Sequence, residues 1–186
     1  MDMTEIDIPT DADLWVFAYG SLMWRPGFEA VEQACATVDG YHRALCIESH
    51  RHRGTPERPG LVLGLDQGGT CCGVAFRAPA AAVPSALAHL RERELVTGVY
   101  LEVMLPVTLA DGRRVSALAY VVDREHAQYV GLLSHDETLR RVSGSVGLAG
   151  PNVDYVLNTA RELDRLGVPD TALSSLASAL TVSTDE

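Results

Sequence analysis

The order of strand-like and helical segments along the chain limits its fold more strongly than any other feature. Short apolar segments bounded by turn residues dominate the first two thirds of the 186 residues, and they predict β-strands. One helix, from about Ala82 to Glu94, interrupts these strands, and the last third is helical. This order is typical of an α+β fold with a mostly antiparallel sheet or barrel, and not of alternating βαβ units.

Apolar runs and turn residues predict the individual elements. A buried strand is expected within residues 14–21, and three strand pairs are expected in 34–48, 61–77 and 99–123. Their turn segments are Asp39-Gly40, DQGG and ADGR, respectively. Three helices are expected after these strands, with N-terminal caps supplied by Ser134, Asn152 and Asp170.

The charge of the chain excludes several classes of partner and one class of chemistry. The 25 acidic residues exceed the 15 basic residues, which gives a formal net charge of −10. Nucleic acid and anionic membranes are therefore not expected as partners. All 15 basic residues are Arg, so the chain has no side-chain amine for a Schiff base. No heptad pattern or exposed apolar stripe predicts the oligomeric state.

The length of the chain suits one domain. We expect a single domain over residues 13–180, preceded by a flexible acidic tail (1–12) and followed by a short flexible tail (181–186). The N-terminal residues include neither the basic nor the apolar segment of a secretory signal, and we therefore expect a cytoplasmic protein.

The cysteines and histidines favour neither a disulfide framework nor a metal site. The four cysteines form no C-x-x-C pair, and we expect them to be buried apolar thiols; they are Cys35, Cys46, Cys71 and Cys72. Three histidines lie close together in the sequence without metal-ligand spacing: His42, His50 and His52. No bound metal is expected.

One carboxylate lies on the apolar face of the predicted helix. Val83, Leu87 and Leu90 fall within about 60° of one another at 100° per residue, and Glu94 continues the same stripe. A buried carboxyl has a raised pKa, which suits a general base that works near neutral pH. Two structural alternatives stay open, fraying of the helix end or burial of Glu94 beside an ionic partner; the candidate partners are Arg43 and Arg93.

The turn after the first strand is a second candidate site. Its residues are Tyr19, Gly20, Ser21 and Leu22. A glycine in a tight turn exposes successive backbone N–H groups, which can hold an anion, and Ser21 adds a hydroxyl. The segment lacks the P-loop, Rossmann and G-x-S-x-G patterns. Taken alone, the turn is weak evidence for a binding site.

These segments together resemble the ChaC-like branch of the γ-glutamylcyclotransferases, from about Leu14 to Leu166. The matching segments are FAYGSLMW (17–24), GYHRALCIES (40–49), RGTPERPGLVLGL (53–65), GVAFR (73–77), RERELVTGVY (91–100) and GLAGPNVDY (147–155). The resemblance implies a compact barrel with flanking helices. It also implies a cofactor-free cleavage of a γ-glutamyl amide, usually that of glutathione, to 5-oxoproline and the free amine.

The resemblance also assigns roles to residues of both candidate sites. The general acid/base of the family lies in a motif like R-E-x-x-T-G, which places that role on Glu94. The Y-G-S-L turn that holds the γ-glutamyl group matches Tyr19–Leu22. Where relatives often carry an aromatic residue before the catalytic motif, this chain has Arg91, which we expect on the solvent side with little consequence.

Three further substrate contacts are predicted. Arg53 lies in the matching R-G-T-P segment and is the best candidate among the loop arginines (51, 53 and 58) for the glycine carboxylate of glutathione. Ser49 ends the preceding strand, and Tyr155 lies in a matching helical segment with a hydroxyl to offer.

Two alternative functions are open at this stage. The first is a cyclotransferase for other γ-glutamyl amino acids or amines. The second is a binding module on the same fold, which the retained Glu94 disfavours because a binding pocket gains nothing from a buried acid.

Overall fold

The computed structural model describes residue 6 and residues 8–182. The predicted tails lie partly outside this range, because residues 1–5, 7 and 183–186 are not described. The chain divides into two compact units. The first contains the residues through Arg43 together with Leu65–Asp123, and the second contains Ala44–Gly64 together with the residues from Arg124 on. The single domain expected over 13–180 stays a prediction.

Strands precede most of the helices along the chain. In order, the elements are β1 (Leu14–Ala18), β2 (Glu32–Ser49), β3 (Gly60–Ala78), α1 (Val83–Glu94), β4 (Tyr100–Leu109), β5 (Arg114–Val122), α2 (His135–Gly144), β6 (Val146–Gly147), β7 (Gly150–Pro151), α3 (Asn152–Arg165) and α4 (Thr171–Val182). Two short 3-10 helices, Ser21–Met23 and Ala80–Ala82, follow β1 and precede α1. The long strands β2 and β3 contribute residues to both units.

The strands β1 to β5 form a closed barrel with the order β1-β3-β2-β4-β5. β1 is antiparallel to β3, β2 is antiparallel to β4, and β4 forms an antiparallel hairpin with β5. The parallel pair of β1 and β5 completes the ring, with Trp15 opposite Ala117. Closure gives every strand two neighbours and removes the exposed edges of an open sheet. The structure confirms the expected α+β class and the mixed, mostly antiparallel barrel.

Helix α1 buries the apolar stripe that its sequence predicts. Val83, Leu87 and Leu90 are buried, and so is Ala86 between them. The helix ends after Glu94, where the N–H of Leu95 bonds to the carbonyl of Arg91. The predicted boundaries of about 82 and 94 are therefore confirmed.

Two of the three predicted turns are wrong. β2 continues through Asp39-Gly40, and β3 continues through the DQGG segment. Gly40, Gly68 and Gly69 have positive φ values (+86°, +99° and +72°) inside these strands, as bulge glycines do. Thr70 Oγ1 donates to Asp39 Oδ1 at 3.1 Å across the same region. The strands therefore continue through these glycines without reversing, whereas the turn at Ala110–Arg113 is confirmed.

The second unit contains the remaining helices. Ser134 caps α2 by accepting the N–H of Glu137 at 3.2 Å, and Asp170 accepts the N–H of Leu173 before α4, at 3.1 Å. Both predicted caps are confirmed. Asn152 does not cap α3: Pro151 precedes the helix, and Asn152 is its first residue and is fully buried. Within the described residues, no helix is long and apolar enough to cross a membrane.

The cysteines are free thiols in two different environments. Cys46 and Cys71 are buried, as expected, but Cys35 and Cys72 are exposed. Exposure of Cys35 and Cys72 corrects the expectation of four buried thiols. It follows from strand alternation, because adjacent residues such as Cys71 and Cys72 point to opposite faces.

Candidate active site

Glu94 occupies the last position of α1, and its side chain is only 16% exposed. The structural alternative of a frayed end does not apply, because the helix continues through Glu94. Burial raises the pKa of the Glu94 carboxyl, since a low-polarity environment disfavours the charged form. The positive charge of Arg93 opposes this shift without cancelling it. The carboxyl is thus suited to accept and return a proton near neutral pH.

Arg93 links Glu94 to the turn after β1. Its Nε lies 3.2 Å from Glu94 Oε1, so the second structural alternative, an ionic partner, is present. Its Nη2 donates to Ser21 Oγ at 2.5 Å, and its Nη1 donates to the carbonyl of Arg25 at 2.8 Å. One guanidinium therefore ties the candidate base to the candidate anion-binding turn, and the structure brings these two predicted features together.

The turn itself is a short 3-10 helix that follows β1. Gly20 precedes it, and the N–H of Met23 bonds to the carbonyl of Gly20 at 2.9 Å. Tyr19 and Leu22 are buried. Backbone N–H groups at the start of a helix lack partners within that helix, which leaves them available to an anion. The Ser21 hydroxyl accepts the bond from Arg93 and keeps its own proton to donate.

Arg43 contacts the turn after β1, and His89 contacts the loop that follows this turn. Arg43 donates to the carbonyl of Tyr19 at 2.6 Å, and also to the carbonyl of Cys72 at 2.6 Å. His89, one helical turn before Arg93, packs against Gly27, where a Cβ atom would lie 2.1 Å from the imidazole Nε2. Gly27 also has a φ of +75°, so this close approach requires glycine.

The environment of Arg91 differs from the one that we predicted from the sequence. We expected it on the solvent side with little consequence, but it makes a bidentate ion pair with Glu102 of β4. Glu102 also accepts a hydrogen bond from the buried Tyr120 of β5. Sequence reasoning missed both partners. The predicted β4–β5 hairpin could have indicated one of these contacts, because it places Glu102 directly opposite Tyr120.

In the second unit, the three remaining predicted contacts form one cluster. Ser49, 7% exposed, accepts the N–H of Arg53 at 3.0 Å. The Arg53 guanidinium lies 5.5 Å from the centre of the Tyr155 ring and donates to the carbonyl of Pro151 at 3.1 Å. The Tyr155 hydroxyl accepts the N–H of Leu63 at 3.1 Å. Arg51 and Arg58 are exposed.

Sequence comparisons agree with the resemblance. The model of the family described as ChaC-like protein matches residues 14–183. The chain is 36% identical over 168 residues to the glutathione-specific gamma-glutamylcyclotransferase of Escherichia coli strain K12, covering 90% of this chain and 73% of that protein. It is 34% identical over 151 residues to the glutathione-specific gamma-glutamylcyclotransferase 1 of Homo sapiens, covering 79% and 68%.

A solved structure shows the same fold. The selenomethionine-labelled γ-glutamyl cyclotransferase specific to glutathione from yeast aligns with a TM-score of 0.80 at 20% sequence identity, covering 91% of this chain and 96% of that one. The family match extends over most of the residues that form the barrel, α1 and the later helices. The chain therefore belongs to the ChaC-like protein family.

Proposed function

We propose that the protein is a γ-glutamylcyclotransferase that cleaves glutathione to 5-oxoproline and Cys-Gly. Family membership and the names of its relatives support this activity. The observation that carries the proposal is the mostly buried carboxyl of Glu94, whose pKa is raised and which Arg93 ties to the Tyr19–Leu22 turn. A binding module has no use for a buried acid prepared in this way.

The reaction is an internal transfer. The α-amine of the γ-glutamyl group attacks its own γ-carbonyl carbon, a C–N bond forms to close the five-membered ring, and the original γ-amide C–N bond breaks. The nucleophile and the carbonyl belong to one molecule, so the gain comes from holding that chain bent. The products are 5-oxoproline and the free amine, and no oxidant or cofactor enters the balance.

Glu94 moves the proton in this scheme. Its carboxylate takes a proton from the substrate ammonium, which frees the amine lone pair for attack. The resulting carboxylic acid then returns that proton to the departing amide nitrogen. The ring nitrogen still carries two protons after attack, and it gives one of them to the regenerated carboxylate, from which it passes to the product amine or to solvent. A raised pKa serves both steps, because the group must be a base first and an acid afterwards. Assistance of this kind contributes about 10²- to 10⁴-fold to the rate.

The turn after β1 binds the charged part of the substrate. The N–H groups of Gly20, Ser21 and Leu22 are donors for the oxyanion of the tetrahedral intermediate or for the α-carboxylate. Arg93 adds a positive charge next to this turn, through its bond to Ser21. A fixed guanidinium stabilises an anion there without needing to reorganise during the reaction.

Ser49, Arg53 and Tyr155 stay proposed substrate contacts. The positive charge of Arg53 is suited to the glycine carboxylate of glutathione, because a guanidinium pairs with a carboxylate through two parallel bonds. Its contact with the Tyr155 ring limits the orientations of the guanidinium. Ser49 holds the backbone of Arg53 through its hydroxyl.

Incubation of the purified protein with glutathione tests the proposed function. We expect 5-oxoproline and Cys-Gly in equal amounts by mass spectrometry. γ-Glutamylalanine serves as the comparison substrate, since it keeps the reacting group and lacks the Cys-Gly portion. Turnover of γ-glutamylalanine but not of glutathione would show that the substrate is another γ-glutamyl amino acid. The absence of 5-oxoproline from both would contradict the proposed activity.

Replacing Arg93 with Met should move the acid limb of the pH profile of kcat/KM to higher pH. Arg93 opposes the effect of burial on the pKa of Glu94, so its removal allows that pKa to rise further. A general base is active when ionised, and activity should therefore be lost at a higher pH as the solution is acidified. The measurement is kcat/KM for glutathione from pH 5 to pH 9.

Ser21→Ala is the matched control for this variant. It removes the hydroxyl that Arg93 binds but keeps the arginine charge beside Glu94. Its acid limb should stay where the unmodified protein has it, even if its rate falls. An unchanged acid limb in Arg93→Met would mean that this arginine does not influence the ionisation of the base.

A further inference from the structure

A partly buried ion pair lies on the face of α1 next to Glu94. Arg91 Nε is 3.1 Å from Glu102 Oε1, and Arg91 Nη2 is 2.8 Å from Glu102 Oε2. The exposed fractions of the two side chains are 32% and 10%. Bidentate arginine–carboxylate pairs are among the strongest side-chain contacts, and they fix geometry as well as charge.

Tyr120 extends this pair towards Glu94. It faces Glu102 across the β4–β5 hairpin, is 1% exposed, and donates its hydroxyl proton to Glu102 Oε1 at 2.9 Å. Burial and the negative charge of Glu102 raise the pKa of Tyr120, and the charge of Glu94 contributes to the same shift. The phenol therefore stays neutral, and its hydroxyl lies within electrostatic reach of both carboxylates.

The pair is also close to Glu94 along the helix. Arg91 and Glu94 are three residues apart, and side chains at this spacing are neighbours, with about 5–6 Å between Cβ atoms. An intact pair presents almost no net charge to Glu94, because its positive and negative groups cancel. A broken pair would leave one full charge in a partly buried environment, where water screens it poorly.

We propose that Arg91 and Glu102 are positioning residues for the cyclisation, a charge-neutral pair that holds the Tyr120 hydroxyl towards Glu102 and keeps a net charge away from Glu94. The proposal rests on the proposed function, in which Glu94 is the acid/base. The pair does not touch the reacting atoms; it acts through Tyr120 and through the field at Glu94.

Several other charged or titratable groups of the described residues face this region of the first unit. Helix α1 contributes Arg93, which contacts Glu94 directly, together with His89 and the exposed Glu92. β2 contributes Arg43, which donates to the carbonyl of Tyr19. The turn after β1 offers the hydroxyls of Tyr19 and Ser21 but no charged side chain. β4 and β5 contribute Glu102 and Tyr120. Besides Arg93, the ion pair is therefore a place where a single substitution would leave an uncompensated charge near Glu94.

A set of charge-neutralising variants tests the proposal. Arg91→Gln leaves Glu102 unpaired, and the titration midpoint of Glu94 should rise by about one pH unit. Glu102→Gln removes the negative charge of the pair and keeps the positive charge of Arg91, and the midpoint should fall by a similar amount. The double variant R91Q/E102Q is again neutral and should return to within a few tenths of a unit of the unmodified protein.

The readout is the pH titration of the Glu side-chain carboxyl carbons by NMR in ¹³C-glutamate-labelled protein. The Glu94 signal is identified by its absence in Glu94→Gln. Glu92→Gln, an exposed charge change on the same helix, is the matched control and should leave the midpoint unchanged. This titration needs no substrate, so it measures the effect of the pair on Glu94 independently of activity. A protein that is inactive on glutathione would contradict the proposed function and would leave the titration result unchanged.

Opposite shifts in the single variants, cancelled in the double variant, would support the proposal. The acid limb of kcat/KM should then move in the same two directions. Shifts of the same sign, or no shift, would overturn it, because a purely structural pair would lower the unfolding temperature without producing opposite titrations. If Arg91→Gln does not fold, Glu102→Gln and the double variant still decide between these outcomes.

Discussion

Replacing Glu94 with Gln should lower the rate of 5-oxoproline formation from glutathione by at least about 100-fold. The amide has nearly the same shape but cannot take the proton from the substrate ammonium, and acid/base assistance contributes about 10²- to 10⁴-fold. Binding of glutathione should persist, because the Tyr19–Leu22 turn and Arg93 are unchanged. The measurement is kcat by mass spectrometry, with glutathione affinity from calorimetry.

Two controls separate this effect from a loss of structure. Glu92→Gln changes an exposed glutamate on the same helix and should keep the full rate. Glu94→Gln itself should unfold at a temperature equal to or above that of the unmodified protein at pH 7. Full activity in Glu94→Gln would show that another group takes the proton.

The expected stability of Glu94→Gln follows from the direction of the pKa shift. Burial raises the pKa of Glu94 in the folded protein, so the folded state prefers the protonated form. Stability from this group is complete below the pKa of an unfolded glutamate and is lost as the pH rises through the folded value. Gln avoids that loss. Its advantage in unfolding temperature should therefore be present at pH 7 and absent in acid.

Replacing Asn152 with Ala should lower the free energy of unfolding by about 2–4 kcal/mol. The Asn152 amide accepts the N–H of Leu61 at 2.7 Å and donates to the carbonyl of the same residue at 2.9 Å. Asn152 is 0% exposed, so no solvent can replace these two bonds. Each unpaired buried backbone group costs about 1–3 kcal/mol. The measurement is the urea unfolding transition.

The matched control is Asn158→Ala on the same helix. Asn158 is exposed and accepts one surface bond from Arg161, at 2.9 Å. Its replacement should change the free energy of unfolding by no more than about 0.5 kcal/mol. Equal effects at the two positions would mean that the bonds to Leu61 contribute little.

The same asparagine shows why some of the fold could not be predicted. Asparagine before an amphipathic run is a frequent helix cap, so Asn152 was a reasonable candidate for that role. Its actual partner is Leu61, 91 residues earlier in the chain. Gly40, Gly68 and Gly69 are comparable, because a glycine permits either a turn or a bulge and only the paired strand selects one of them.

The candidate site follows the same division. The helical period of 3.6 residues places Glu94 on the stripe of Val83, Leu87 and Leu90, and this local pattern was sufficient to predict its burial. The ion pair of Arg91 with Glu102 joins a helix to a strand, and no local pattern predicted it. The same is true of the bond between Arg93 and Ser21, 72 residues apart.

The sequence by itself determined the features that depend on neighbouring residues: the α+β class, the extent of α1, the β4–β5 hairpin, the caps of α2 and α4, and the inward direction of Glu94. Propensity, periodicity and capping act over a few residues, which makes them readable in one chain. The tertiary structure alone decided barrel closure, the continuation of β2 and β3 through their glycines, the partners of Asn152 and the arginine contacts around Glu94. These depend on which distant segments meet, because a hydrogen bond or an ion pair forms only where folding brings both partners together.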